Sequence, residues 1–181
     1  FGKAQRSPDE ISRVIATETE IVLFGSHSIE WHQNNPSGDG GFPFVPVANI
    51  ELGLLTPEAV TTLDRTVVWL ASDGTVRIMN GYGGDVISTQ TVQRAIGAVV
   101  DTSDISMFSW HSRDIGHSFV AMTCSKWTWV YDLQEGHWHE KASSGLPHWR
   151  GRSAVEWAGR SIFGDSETGT IYTIRGDVHT E

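Results

Sequence analysis

The chain has 181 residues, of which 39% are hydrophobic and 19% are charged, a balance typical of a globular protein rather than a disordered one. Its net charge of −9 comes with scattered Lys and Arg residues, which argues against DNA wrapping by phosphate neutralisation. The single cysteine, Cys124, excludes an intrachain disulfide and a multi-Cys metal site, and no apolar run approaches the ~20 residues that cross a bilayer.

The first residues, FGKAQRSPDE, contain neither an initiator Met nor a signal-peptide pattern. We therefore expect an internal cut, which would make the chain a fragment or the ordered part of a longer protein. The lone Cys124 suits synthesis in a reducing cytoplasm.

Four hairpins are predicted in chain order. Each begins with a short run of β-branched and aromatic residues, continues through turn formers and ends in a second apolar strand. The first strands lie at residues 21–24, 67–70, 119–122 and 161–163, and the second strands are IEW, TVRIM, WTWVYD and TIYTI.

The spacing of these hairpins indicates a repeat. Val67 lies 46 residues after Ile21, Phe119 lies 52 after Val67, and Ile162 lies 43 after Phe119. Propeller blades recur at roughly 40–50 residues with four strands each. We therefore predict a mainly β fold over residues 1–181: a single β-propeller-like domain of four-stranded antiparallel blades, or part of a larger propeller. A β-sandwich is the alternative, because it also has many short strands.

Three segments interrupt the hairpins. Residues 56–63, TPEAVTTL, offer Thr56 as a helix cap and Pro57 at the first helical position, which predicts a short helix. Residues 88–96, STQTVQRAI, predict a second, with a capping Ser or Thr and an apolar stripe. Residues 34–46 carry Pro and Gly too densely for a central strand, so they predict an exposed loop.

The segment WTWVYDLQEGHWHE, residues 127–140, could carry chemistry. His137 and His139 would share one face of a strand, with Glu140 beside them, and His148 could supply a third metal ligand. The spacing is not distinctive, however, and a solvent-facing strand edge with an inward Trp138 is the alternative.

A structural interpretation accounts for the same segment more economically. Asp132 can accept hydrogen bonds from backbone amides ahead of it, and Gly136 supplies a positive φ angle. The segment is then a strand, a turn and a strand. Asp73 with Gly74, and Asp165, also fall at predicted turns. The glycine-rich GYGGD at 81–85 lacks the Lys-Ser/Thr of a phosphate loop, and we expect a turn from which Tyr82 caps a neighbouring blade.

The chain contains eight Trp residues, and the sequence predicts different positions for two groups of them. Five lie in or beside strand runs and are predicted in the core or between blades: Trp69, Trp127, Trp129, Trp138 and Trp157. Three are candidates for exposure, where they could stack on glycans or contact another protein: Trp31, Trp110 and Trp149.

The order of the segments resembles a known family. FGSHSIEW, GYGGDVIST, WVYDLQEGHWHE and GDSETGTIY follow one another across a chain similar from about Phe1 to Ile174 to the packaged-DNA stabilisation proteins of short-tailed bacteriophages. The resemblance implies a β-rich, propeller-like structural protein of the virion tail hub, without catalytic residues or cofactors. Members of the family are longer than this chain.

The resemblance also implies partners and a location. Family members form a homo-oligomeric ring in the short tail below the portal and its adaptor, help to seal the head after packaging and carry the tail needle. Assembly would occur in the host bacterial cytoplasm, with packaged DNA nearby but no sequence-specific binding and no membrane contact. The alternatives are a carbohydrate-binding propeller, suggested by the Trp residues, and a metal-dependent enzyme built on His137 and His139.

Overall fold

Hairpins build the fold of residues 9–35 and 44–174, the part of the chain that the computed structural model describes. Sheet 1 contains β1 (Ile11–Ala16), β2 (Glu20–Gly25), β3 (Ile29–Asn34) and β4 (Phe44–Ile50). Sheet 2 contains β5 (Val60–Leu63), β6 (Thr66–Leu70), β7 (Val76–Asn80) and β8 (Gly83–Val86). Sheet 3 contains β9 (Ser106–Ser112), β10 (His117–Cys124), β11 (Trp127–Asp132) and β12 (His137–Glu140). Sheet 4 contains β13 (Gly151–Trp157), β14 (Arg160–Asp165) and β15 (Ile171–Thr173).

Within each sheet the strands follow chain order and pair antiparallel, so each neighbour is reached through a hairpin. All four predicted hairpins are confirmed as β2–β3, β6–β7, β10–β11 and β14–β15. The register in sheet 3 pairs Phe119 with Asp132 and Cys124 with Trp127. The described part of sheet 4 has three strands, where the prediction has four per blade.

The sheets stack in chain order around shared apolar cores. One core lies between sheets 1 and 2 around Phe24, Trp31 and Trp69. A second lies between sheets 2 and 3, and a third between sheets 3 and 4 around Trp110 and Phe163. Strand β9 contacts both β5 and β13, so the first strands of sheets 2, 3 and 4 lie side by side. This is the arrangement of a β-propeller rather than a two-sheet sandwich, and it confirms the predicted fold class.

One of the two predicted helices is correct. Helix α1 (Gln90–Gly97) begins after Thr89, whose side chain accepts a hydrogen bond from the Val92 amide. It buries Val92 and Ile96 in the core between sheets 2 and 3. A 3₁₀ helix, Thr102–Asp104, follows it and was not predicted. No helix in the described residues is long and apolar enough to cross a membrane.

The helix predicted over residues 56–63 is wrong. The Thr56 carbonyl accepts a hydrogen bond from the Ala59 amide, which closes a single turn, and β5 follows at once. Val60 pairs with Trp69 in the neighbouring strand. The β-branched run from Val60 therefore completes a sheet, and this pairing outweighs the local helix-starting signals.

The predicted loop of residues 34–46 is too wide at both ends. Asn34 ends β3, and Phe44 begins β4, in which Pro46 pairs with His32. A proline is tolerated there because β4 is the edge strand of sheet 1 and the pairing shifts register nearby. Residues 36–43 of the predicted loop lie outside the described residues.

A partly buried acceptor shapes the β2–β3 turn. Asp9 accepts hydrogen bonds from the backbone amides of His27 and Ser28 at 2.6 and 2.9 Å and from the hydroxyl of Ser26 at 2.8 Å. Burial opposes ionisation of Asp9, but these hydrogen bonds outweigh it and lower the pKa of its carboxyl. The chain before β1 is thereby fastened to the β2–β3 turn.

Candidate functional site

The turn inside residues 127–140 is built as predicted. Asp132 Oδ1 accepts hydrogen bonds from the amides of Gln134 at 2.9 Å and Glu135 at 3.1 Å, and Gly136 has a φ of 69°. Asp132 Oδ2 lies 2.7 Å from Nδ1 of His117 on the neighbouring strand. Burial alone would raise the pKa of Asp132, but the hydrogen bonds from His117 and the two amides outweigh it and lower that pKa. The carboxylate therefore acts as a turn-stabilising acceptor.

His137 and His139 lie on one strand face, with ring centroids 6.3 Å apart, and both are exposed. His148, the third ligand considered, is buried and has its Nε2 3.6 Å from Oε1 of Glu167. Within residues 9–35 and 44–174, no group of three or more His, Cys, Asp or Glu side chains could hold one ion. The geometry therefore gives the metal-dependent enzyme hypothesis no support.

A serine, a histidine and an aspartate meet between sheets 2 and 3, a cluster that the sequence analysis missed. The Ser118 hydroxyl lies 3.0 Å from Oδ2 of Asp64 and 3.0 Å from Nδ1 of His111. Since the Ser118 hydroxyl donates its hydrogen bond to the Asp64 carboxylate, His111 Nδ1 is the donor in the contact between His111 and Ser118. In a nucleophilic triad the histidine lies between the serine and the acid. Here the serine lies between the histidine and the aspartate. Ser118 is also buried, so the cluster fastens two sheets and leaves the hydroxyl out of reach of a substrate.

Tyr82 makes the inter-blade contact predicted for GYGGD. Its hydroxyl donates to Oε1 of Glu20 in sheet 1 at 2.8 Å, and its ring meets the edge of Trp31 at 5.8 Å. Asp73 and Asp165 likewise occupy hairpin turns, where each accepts amide hydrogen bonds.

Four of the eight Trp placements are confirmed and four are wrong. Trp69 and Trp127 are buried, and Trp129 and Trp138 pack, partly buried, against the core between sheets 2 and 3. Trp31, Trp110 and Trp149, the three candidates for exposure, are buried. Trp157, predicted in the core, is 69% exposed. The strands here are apolar on both faces, so sequence alone does not show which face a neighbouring sheet covers. The three buried rings offer no stacking platform to a glycan, so among the Trp residues only the exposed Trp157 is left to support the carbohydrate-binding alternative.

Trp157 belongs to an exposed apolar surface, the outward face of sheet 4. Ala154, Phe163 and Tyr172 point from this sheet into the core shared with sheet 3. The opposite face carries Val155, Trp157 and Ile171, which are 62%, 69% and 72% exposed. Ile162 lies between them, paired with Val155. Contiguous exposed apolar surface of this kind is typical of contacts with another protein.

A cleft opens beside this face, between sheets 3 and 4. One wall is formed by residues 110–114 and the other by residues 159–161, with Phe163 and residues 173–174 completing it. Its volume is about 540 Å³. Trp110 and Phe163 meet edge to face there at 5.4 Å, and Arg113 and Arg160 are exposed at its mouth. Neither arginine was singled out from the sequence: Arg113 lies in the β9–β10 turn and Arg160 begins β14.

Comparison with protein families identifies one match. The family model described as bacteriophage P22 Gp10, β-propeller, covers residues 1–179. No curated protein sequence matches the chain.

Several solved structures have similar folds at low identity. The computationally designed Ika4 protein is 15% identical with a TM-score of 0.49, and the alignment covers 96% of this chain and 98% of Ika4. Hsv2 of Kluyveromyces lactis is 9% identical with a TM-score of 0.48, over 94% of this chain and 48% of Hsv2. PorZ of Porphyromonas gingivalis, a component of the type-IX secretion system, is 7% identical with a TM-score of 0.45, over 96% of this chain and 22% of PorZ. The chain thus spans about half the length of Hsv2 and less of PorZ.

Proposed function

The chain belongs to the phage-stabilisation family of bacteriophage P22 Gp10, a β-propeller family, and we propose from this membership that it is a structural protein of the tail hub. In that role it helps to seal the portal and the head-to-tail channel, so that packaged DNA stays in the head. Its work is non-enzymatic: the family is a phage structural family, and the buried Ser118 cluster and the Asp132 turn both have structural roles.

The proposed partners are the portal and adaptor proteins, the tail needle and further copies of this chain in a ring. Assembly takes place in the host bacterial cytoplasm, and the mature location is the virion tail. Packaged DNA lies nearby without sequence-specific contacts, which suits a chain with a net charge of −9.

One observation carries the assembly role: the exposed apolar outward face of sheet 4. Three large apolar side chains lie open to solvent on the same sheet surface, Val155, Trp157 and Ile171. A ring is built from head-to-tail contacts in which unlike surfaces meet. We assign this face to the contact with the neighbouring copy, since aromatic side chains at the centre of an interface contribute much of the binding energy.

The test is complementation of phage particles that lack the protein. Trp157→Glu places a charge on the outward face, whereas Val100→Glu places one at a fully exposed position outside the strands and helices. We expect Trp157→Glu to lower the yield of DNA-retaining, infectious particles on the order of tenfold or more, since a desolvated charge costs several kcal/mol. Val100→Glu should complement like the parent chain.

Urea unfolding of both variants controls for folding, and we expect equal midpoints because both side chains are exposed. Full complementation by Trp157→Glu would show that the outward face of sheet 4 does not contact the neighbouring copy. Failure of the parent chain itself to reduce DNA loss would refute the proposed tail-hub function.

A further inference from the structure

We propose that the cleft between sheets 3 and 4 is a binding site for an acidic peptide segment of another protein, with Arg160 as the principal carboxylate-binding residue. Arg160 pairs with Trp157 across the β13–β14 hairpin, so this site borders the outward face of sheet 4, but the proposal does not require ring formation.

The walls of the cleft are held in place before any ligand arrives. The Ser161 hydroxyl lies 2.7 Å from the His111 carbonyl oxygen on the opposite wall and also contacts the carboxylate of Glu156. Trp110 and Phe163 are fixed in the buried aromatic core between the sheets. A preformed site loses little conformational freedom on binding, which favours affinity.

The cleft has the size and surface of a peptide site. Its volume of about 540 Å³ is in the range of ligand pockets, which is roughly 300–1,000 Å³, and would hold the side chains of a short segment. Ile174, which is 42% exposed, provides apolar surface for one side chain. Arginine is among the residue types most enriched where proteins bind one another tightly.

The charge at the mouth selects carboxylates. The side chain of Arg160 makes no hydrogen bond or ion pair with any residue that the structure describes, so its guanidinium is available for a fork-like contact with a carboxylate. Arg113 lies 3.8 Å from Glu156 and is partly neutralised. Asp114 is the one acidic residue of the lining.

A peptide fits this surface better than a nucleic acid does. Nucleic-acid affinity comes mainly from several neutralised phosphates, which requires a continuous basic surface. The cleft has two guanidinium groups, one of them paired with Glu156, which is too few for a continuous basic surface.

The experiment measures fluorescence anisotropy of a short labelled peptide of alternating Glu and Leu, with the matching Gln and Leu peptide as reference. We expect the acidic peptide to bind the parent chain roughly tenfold more tightly than its amide counterpart, the difference expected for a charge-assisted hydrogen bond. Arg160→Ala should remove most of that preference, and Arg160→Lys should restore part of it. Arg65→Ala is the control, because Arg65 is also exposed but lies in the β5–β6 turn and faces Glu18 instead.

Each other outcome contradicts the proposal. Equal binding of the two peptides, or no binding of either, would show that the cleft does not select carboxylates. Equal losses in Arg160→Ala and Arg65→Ala would show general charge attraction. Tighter, Arg160-dependent binding of a labelled DNA duplex would assign the cleft to nucleic acid. Failure in particle complementation, by contrast, bears only on the tail-hub role.

Discussion

Gly84 lies where the backbone of β8 passes over the indole of Trp69, and replacing it with Ala should strain the core between sheets 1 and 2. An added Cβ would stand 2.2 Å from Cη2, 2.9 Å from Cζ2 and 3.1 Å from Cζ3 of that ring. Trp69 is fully buried and packs edge to face on Phe24 at 6.1 Å, so the ring has no open space into which it could retreat.

Two opposing effects set the change in the free energy of unfolding that Gly84→Ala causes. Overpacking of a well-packed core costs about 1–3 kcal/mol. Ala in place of Gly stabilises by about 0.4–1 kcal/mol through the unfolded chain. We therefore expect Gly84→Ala to lower the free energy of unfolding by about 1–2 kcal/mol, which lowers the Tm by roughly 2–8 °C for a domain of this size.

Gly83→Ala is the internal control, since the nearest atom to its added Cβ is the Asn80 carbonyl oxygen at 3.7 Å. The same entropic gain applies there without the clash, so its stability should equal or slightly exceed that of the parent. Urea unfolding followed by Trp fluorescence measures both. Equal stabilities of the two variants would refute the close approach, whereas partial relief of the Gly84→Ala loss by Trp69→Phe in a double-mutant cycle would support it.

Three further predictions concern single side chains. The pKa of Asp132 is lowered in the folded state, so its contribution to stability should be present above about pH 4 and be lost as the pH falls below that value. Asp132→Asn should therefore flatten this part of the pH profile of urea unfolding. Trp149→Ala should cost about 3–5 kcal/mol of unfolding free energy, because the ring is buried among four aromatic rings, whereas Trp157→Ala should leave that quantity nearly unchanged. Burial raises the pKa of Cys124, so a disulfide reagent should label this thiol only when the chain is unfolded.

Local chemistry made the turns predictable. Asp132 and Gly136 fulfil their expected roles because a turn depends on hydrogen bonds and φ angles within a few residues. The same holds for Thr89, which caps α1 as its sequence context indicates. The fold class followed from the repeated hairpins, since their spacing is a property of the whole chain.

Features that depend on neighbouring sheets were less predictable. Residues 56–63 carry helix-starting signals, but the pairing of Val60 with Trp69 in the sheet outweighs the local preference for a helix. Trp31 and Trp157 both lie on apolar strands, and only the stacking order covers one and exposes the other. The cleft between sheets 3 and 4 brings together Arg113 of the β9–β10 turn and Arg160 of β14, so no local sequence pattern marks it.

The stacking of sheets in chain order has a consequence for cooperativity. Each apolar core of the described residues joins two consecutive sheets, so the energetics resemble a linear array with nearest-neighbour coupling. Sheets 2 and 3 are coupled on both sides, whereas sheet 4 is coupled through a single core. Local unfolding of sheet 4 therefore requires the loss of one interface only. A partner that covers the outward face of sheet 4 would supply a second interface and suppress this local unfolding.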